Sequence, residues 1–237
     1  MTFPPHLPHG PITEPWPNVF VVTGQFRFGP GVAIARNMIV VREGTELTLI
    51  NSVRLSPEAE RELEKLGTVK HLLRIGQAHG ADDAWIMHKY QPTYWMPERM
   101  SAKGGLTADR KLDGALPIAG TSFRFEKGKH DEVAVVLPGS SGEGGILVTC
   151  DSVQNWTSTE HCTPIGGLIT KAMGFLEPAK IGPIWAKLLT GGKIKELKPD
   201  FDRLLELDFD QLIAGHGSPL KGGAKAALQK QMAKLFA

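Results

Sequence analysis

Short apolar runs rich in β-branched residues fill the first part of the chain. Residues 18–23 (NVFVVT), 37–42 (NMIVVR) and 46–50 (ELTLI) read as strands of an antiparallel meander. Residues 25–31 form a Gly/Pro-punctuated turn in this reading, and Glu43-Gly44-Thr45 forms another. A helix opens at Ser56-Pro57-Glu58-Ala59-Glu60. Ser56 suits the cap, Pro57 the first helical position, and the acids oppose the helix dipole. Leu63 and Leu66 supply the apolar face and Gly67 the stop. Residues 69–75 (VKHLLRI) predict the next strand, which runs directly into Gln77-Ala78-His79-Gly80-Ala81-Asp82-Asp83. A polar loop after strand, helix and strand is where α/β proteins place their chemistry.

Residues 97–120 are polar, Gly-rich and weakly patterned, and are expected to form a mobile flap. Residues 132–137 (EVAVVL) and 145–150 (GILVTC) predict two strands, joined by a glycine-rich connection from Pro138 to Gly144, and Asp151 follows the second. The pattern then turns helical over 164–175, 181–190 and 198–206. A last strand at 209–214 leads to Gly215-His216-Gly217 and a closing helix from Gly222. Strands followed by helices in each half suit an α/β sandwich of two sheets flanked by helices. Residues 1–17, with five prolines in the first 15, read as an extended surface arm with no apolar core of a signal peptide, and residues 18–237 as one domain.

Composition narrows the function. The 237 residues are 41% apolar and 22% charged, with a net charge of +2, an ordinary globular balance. No basic run exceeds a pair, which argues against nucleic acid as a partner. No apolar run approaches the roughly 20 residues that span a bilayer, so no membrane association is expected. Cys150 and Cys162, the only cysteines, are too few for a disulfide framework and read as reduced thiols of a cytoplasmic protein.

Candidate chemistry sits at the strand ends. A catalytic metal needs imidazoles and carboxylates held rigidly, with one position left open. His79, Asp82, Asp83, Asp151 and His216 are the candidates, and His216, flanked by two glycines, is the most specific. Ordinary roles stand beside these: a loop imidazole for His79, a helix cap for Asp82 and Asp83, a turn cap for Asp151. Trp85 heads an aromatic cluster with Tyr90, Tyr94 and Trp95, either a core edge or the wall of a substrate pocket. Ser140 is a further substrate-binding candidate. Its glycine-rich segment lacks both the Lys-Ser/Thr ending of a phosphate loop and the last glycine of a serine-nucleophile elbow.

These segments, in this order, resemble the metal-ligand scaffold of the metallo-β-lactamase superfamily. Gly215-His216-Gly217 before Pro219 looks like its final histidine loop, and Asp151 after an apolar strand resembles its bridging aspartate. The resemblance implies an αββα sandwich and a metal-dependent hydrolase acting on a small molecule. The departures are Gln77 in place of a first histidine, Ser140 after Pro138-Gly139, and Asn51 in place of an aspartate. Two registers of the His79 motif stay open, with Asp83 useful in both and Asp82 in one. A reduced, mononuclear site is implied, holding one divalent ion: zinc, or manganese or iron, which an oxygen-rich set suits at least as well. Asp83, Asp151 and His216 would hold the ion, with His79 as further ligand or proton shuttle, Asp82 as support, and Asp83 and His79 carrying the catalysis. The alternative is a non-catalytic binding module on the same fold.

Overall fold

The structure is a computed structural model describing residues 3–102, 104–112, 114–127, 131–139 and 143–237. Thr13–Trp16 (β1), Val19–Gly29 (β2), Val32–Glu43 (β3) and Glu46–Ile50 (β4) pair antiparallel in sequence order. Pro57–Leu66 (α1) then crosses over, so that Thr68–Leu73 (β5) pairs parallel to β4. A second crossover, Asp83–Tyr90 (α2), adds Thr93–Met96 (β6), and Arg110–Lys111 (β7) completes a seven-stranded mixed sheet. The expected cap of α1 is present: Ser56 accepts a hydrogen bond from the Ala59 amide at 3.3 Å.

The second sheet contains Thr121–Arg124 (β8), Val133–Leu137 (β9) and Gly145–Thr149 (β10), paired antiparallel. Val153–Gln154 (β11), at the end of this sheet, forms a small ribbon with Lys180–Ile181 (β12). Between them lies Pro164–Ala172 (α3), followed after β12 by Pro183–Thr190 (α4) and Lys198–Glu206 (α5). Phe209–Ala214 (β13) then inserts parallel to β10, and Ala224–Leu235 (α6) closes the chain.

Alternation along the strands sorts the core into layers. Val133, Val135 and Leu137 of β9 face Ile39, Ile50 and Leu73 of the large sheet, while Ala134 and Val136 face Phe201, Leu204 and Leu228 of α5 and α6. Leu63 of α1 and Ile86 of α2 cover the opposite face of the large sheet. The order is helix, sheet, sheet, helix. No helix among the described residues is long and apolar enough to cross a membrane.

Three expectations are corrected. Residues 25–29 are strand rather than turn: Gln25, Phe26 and Arg27 pair with Ala35, Ile34 and Ala33, so β2 and β3 form a long hairpin. The arm is joined to the large sheet, because β1 pairs with β2 and His9 bridges to Gly24, and buried Trp16 reaches the second sheet by donating its indole N–H to Gln211 of β13. The described residues of 97–120 are anchored rather than flap-like, with Leu112 and Ile118 buried between the sheets.

Candidate metal centre

Because β10 and β13 are parallel and in register at Thr149 and Ala214, their C-terminal ends lie side by side. Asp151 follows one and His216 the other. The third segment arrives from β5: Gly76 bridges to Glu132 beside β9, which carries residues 76–82 across to the same edge. His79, Asp151 and His216 meet there. The Nε2 atoms of the two imidazoles are 3.1 Å apart, and Asp151 Oδ1 is 3.1 Å from His216 Nε2 and 3.8 Å from His79 Nε2.

The two glycines flanking His216 serve different purposes. Gly217 has φ +85°, and a Cβ there would lie 2.1 Å from the Asn155 carbonyl oxygen. At Gly215 the constraint is contact: a Cβ would meet the His79 ring and the Cys150 carbonyl oxygen, both at 2.9 Å. His216 is held from both sides, by Nδ1–H donating to the Ala35 carbonyl at 2.7 Å and by Trp156 stacked on its ring at 14°. Because a carbonyl can only accept, Nδ1 carries a proton, and Nε2 is the ring nitrogen that points at Asp151 and His79.

Under Asp151 lies Glu132, which accepts hydrogen bonds from the backbone N–H groups of Cys150, Asp151 and Ser152 at 2.9–3.1 Å. It thereby fixes the turn that aims Asp151. Burial and the charge of Asp151 push the Glu132 carboxyl up to about 8, against those N–H groups, which favour the ionised form. Burial alone would also raise Asp151. The two histidines beside it, His79 first, outweigh burial and hold that carboxyl well below the usual carboxylate range. Burial lowers the His79 pKa against the pull of Asp151. Burial, then the charges of Asp151 and Glu132, push the Cys150 thiol well up.

Two imidazole nitrogens and one carboxylate oxygen, all within 4.8 Å of one another, form a donor set that fits one divalent ion with a position left open. Glu132, Cys150 and Asp151 also lie within 4.8 Å of one another. That group fits an ion poorly, since both Glu132 oxygens are taken by backbone amides and the thiol is held protonated.

The other candidates lie apart from this trio. Asp82 pairs with the buried Arg36 and accepts the Arg54 amide at 2.7 Å. It stands at the cap position of α2 without capping it. Asp83 is buried with both oxygens engaged, accepting the Ser52 hydroxyl at 2.5 Å and the Tyr94 hydroxyl at 2.6 Å. Of the five expected candidates, His79, Asp151 and His216 are the ones whose ligand atoms come together, and neither Asp82 nor Asp83 belongs to that group. Trp85 packs on Arg54 and donates to Glu60 of α1 at 2.9 Å, and is not among the residues lining the cavity over the trio. Ser140 lies outside the described residues.

A cavity of about 630 Å3 opens over the trio. Its walls are the β2–β3 hairpin, α3, α4, Trp156, Phe175 and Trp185, with Gln77 and Arg36 beside His79. The aromatic wall expected at Trp85 is thus supplied by Phe26, Phe28, Trp156 and Trp185. The sequence reading missed Glu132, Trp156 and Arg36. For Glu132 a signal existed, an acid heading the apolar run EVAVVL. For Trp156 and Arg36 there was none, because their roles depend on partners far along the chain.

No protein-family description matches the sequence, and no curated protein matches it significantly. Solved structures do. The metallo-β-lactamase FIM-1 from Pseudomonas aeruginosa, in a mono-zinc form, superposes with a TM-score of 0.63 at 16% identity, over 98% of this chain and 97% of that one. The metallo-β-lactamase from Pontibacter korlensis gives 0.64 at 12% identity, over 94% and 98%. The DIM-1 metallo-β-lactamase gives 0.63 at 15% identity, over 98% and 97%. With its two mixed sheets, its outer helices and near-complete coverage of these chains, the protein has the metallo-β-lactamase fold.

Proposed function

We propose that the protein is a metal-dependent hydrolase of a small molecule, working through a single divalent ion held by His79, Asp151 and His216. The observation that carries this reading is the convergence of three donor atoms from distant segments. With Nδ1 of His216 committed to the Ala35 carbonyl, its Nε2 faces Asp151 Oδ1 and His79 Nε2, an arrangement that a shared cation would stabilise. A bound divalent ion supplies an acidified water and a Lewis acid for a carbonyl or phosphoryl oxygen. The nitrogen-rich set suits zinc or iron(II). Glu132 positions Asp151, Trp156 keeps the His216 ring in orientation, and the apolar cavity walls limit bulk water around the reacting group. Asp83 supports the α2 end of the loop and takes no catalytic part. Cytoplasmic placement, with both thiols reduced, belongs to the same reading.

The test is elemental analysis of protein purified without added metal or chelator, beside His216→Ala. About one ion per chain, lost in the variant, supports the reading. No ion after reconstitution with zinc, manganese or iron(II) overturns it and leaves a binding module, the reading that Gln77 beside His79 favours.

A further inference from the structure

Of the eight exposed large apolar side chains among the described residues, five line one cavity. Phe28 projects from the β2–β3 hairpin at 66% exposure, and the seven others fall between Ile165 and Leu188, on α3, α4 and the turns joining them. Leu168 and Leu188 are 68% and 64% exposed. Single exposed hydrophobics scattered over a surface carry no message, but their confinement to one place does. Phe28, Ile169, Met173, Ile184 and Leu188 also line the cavity, so wall and rim are one continuous apolar surface.

The polar lining residues include His79, Asp151 and His216, with Gln77 close in sequence to His79, and Gln154 and Thr170, whose side chains bond the Asp151 and Gly166 carbonyls. Arg36, the one Lys or Arg among the lining residues, is spent: its guanidinium donates to Gln25 and Ser52 carbonyls and pairs with Asp82. Asp131, also at the wall, is paired with Arg99 and Arg124. No charged group along the walls is free to receive an ionic substituent.

We propose that this cleft takes a neutral molecule built on a hydrocarbon chain, with the chain between the β2–β3 hairpin and helices α3 and α4 and the polar end at His79, Asp151 and His216. That this molecule is the substrate, a medium- or long-chain ester, lactone or amide, rests on the hydrolase reading. The binding of the chain does not. The free energy of transferring a hydrocarbon chain from water to such walls grows with each methylene, and the five exposed side chains that line the cavity give a rim from which an amphiphile partitions inward.

The experiment is a titration of the protein as purified with the homologous series pentan-2-one to decan-2-one, read by calorimetry and by the fluorescence of Trp156 and Trp185, which line the cavity. The expected Kd falls about three- to fourfold for each added methylene. In the double variant Met173→Gln/Leu188→Gln the gradient flattens, with decan-2-one weakened about tenfold and pentan-2-one changed less than about twofold. Both side chains are substantially exposed, so the variant keeps its fold, which an unchanged Tm verifies. A Kd independent of chain length overturns the proposal. So does a full gradient in the double variant, or a stable dimer that buries Phe28 and Leu188 and binds no ketone. A gradient in protein that holds no metal removes the hydrolase reading alone, whereas one ion per chain with a flat series removes this inference alone.

Discussion

His79 Nε2 lies 3.1 Å from His216 Nε2, although 137 residues separate the two in the chain. With the His216 proton on Nδ1, where the Ala35 carbonyl receives it, that contact is satisfied either by an N–H donated from His79 Nε2 or by a metal ion between the two nitrogens. Asp151, 3.1 Å from His216, adds the negative charge that makes the cation favourable. The centre is small, rigid and electron-rich.

Metal removal follows directly. A chelator is expected to lower the unfolding free energy by about 2–4 kcal/mol when the ion is otherwise in large excess over its Kd. His216→Ala, which no longer holds the ion, is expected to give the same Tm with and without chelator. Thermal denaturation under both conditions checks this, and an equal shift in the variant would contradict it.

Asp83→Asn separates support from ligation. The amide that replaces the carboxylate keeps one acceptor oxygen but loses charge-assisted hydrogen bonding from the buried Ser52 and Tyr94 hydroxyls, at a cost of about 1–3 kcal/mol. Metal content should stay at the wild-type level. Urea denaturation and elemental analysis of the same preparation decide the matter; loss of the ion would restore Asp83 as a ligand.

The glycines around His216 predict two different defects. Gly217→Ala forces a side chain into φ +85° and against the Asn155 carbonyl, and is expected to cost about 2 kcal/mol or more in stability. Gly215→Ala presses on the His79 ring, so its larger effect falls on metal retention. Denaturation midpoints and ion content, compared between the two variants, should order them oppositely.

Glu177 provides the pH-dependent contact. It joins α6 to the β12 region by accepting from Lys234, Gln231 and Lys180 at 2.7–2.9 Å, and the Lys234 bond first, then the others, lower its carboxyl from 4.5 to about 2. A folded pKa below the unfolded one means stability that is present above about 4.5 and lost as pH falls toward about 2. Because the group is largely solvated, Glu177→Gln should cost no more than about 1 kcal/mol at pH 7. Denaturation of wild type and variant should show that difference shrinking between pH 4.5 and 3; a constant difference would mean the ion pairs contribute nothing.

How far the sequence carried this reading differs from element to element. Helix α1 was legible because its signals are local: Ser56 meets an amide three residues on, and Pro57 and Gly67 act on their own backbone. The long β2–β3 hairpin was not, since Pro30-Gly31 is the actual turn and the glycines at 24 and 29 sit inside or at the end of the strand. Trp85 was placed at a pocket wall by adjacency to the His79 motif, yet a helix turns successive side chains to different faces, and Trp85 faces Arg54.

The sequence by itself determined the alternation that layers the sandwich, and the appearance of a histidine or aspartate at the ends of β5, β10 and β13. These are properties of short stretches, set by backbone geometry and by the burial of every second residue. Only the tertiary structure decided which carboxylate joins the imidazoles. Asp82 and Asp83 are committed to Arg36, Ser52 and Tyr94, groups that reach them from other strands. Asp151 is left to face His79 and His216 because parallel pairing of β10 with β13 sets their ends side by side. A carboxylate goes to whichever donors the fold brings within hydrogen-bond range, and that choice is written in the packing of distant segments.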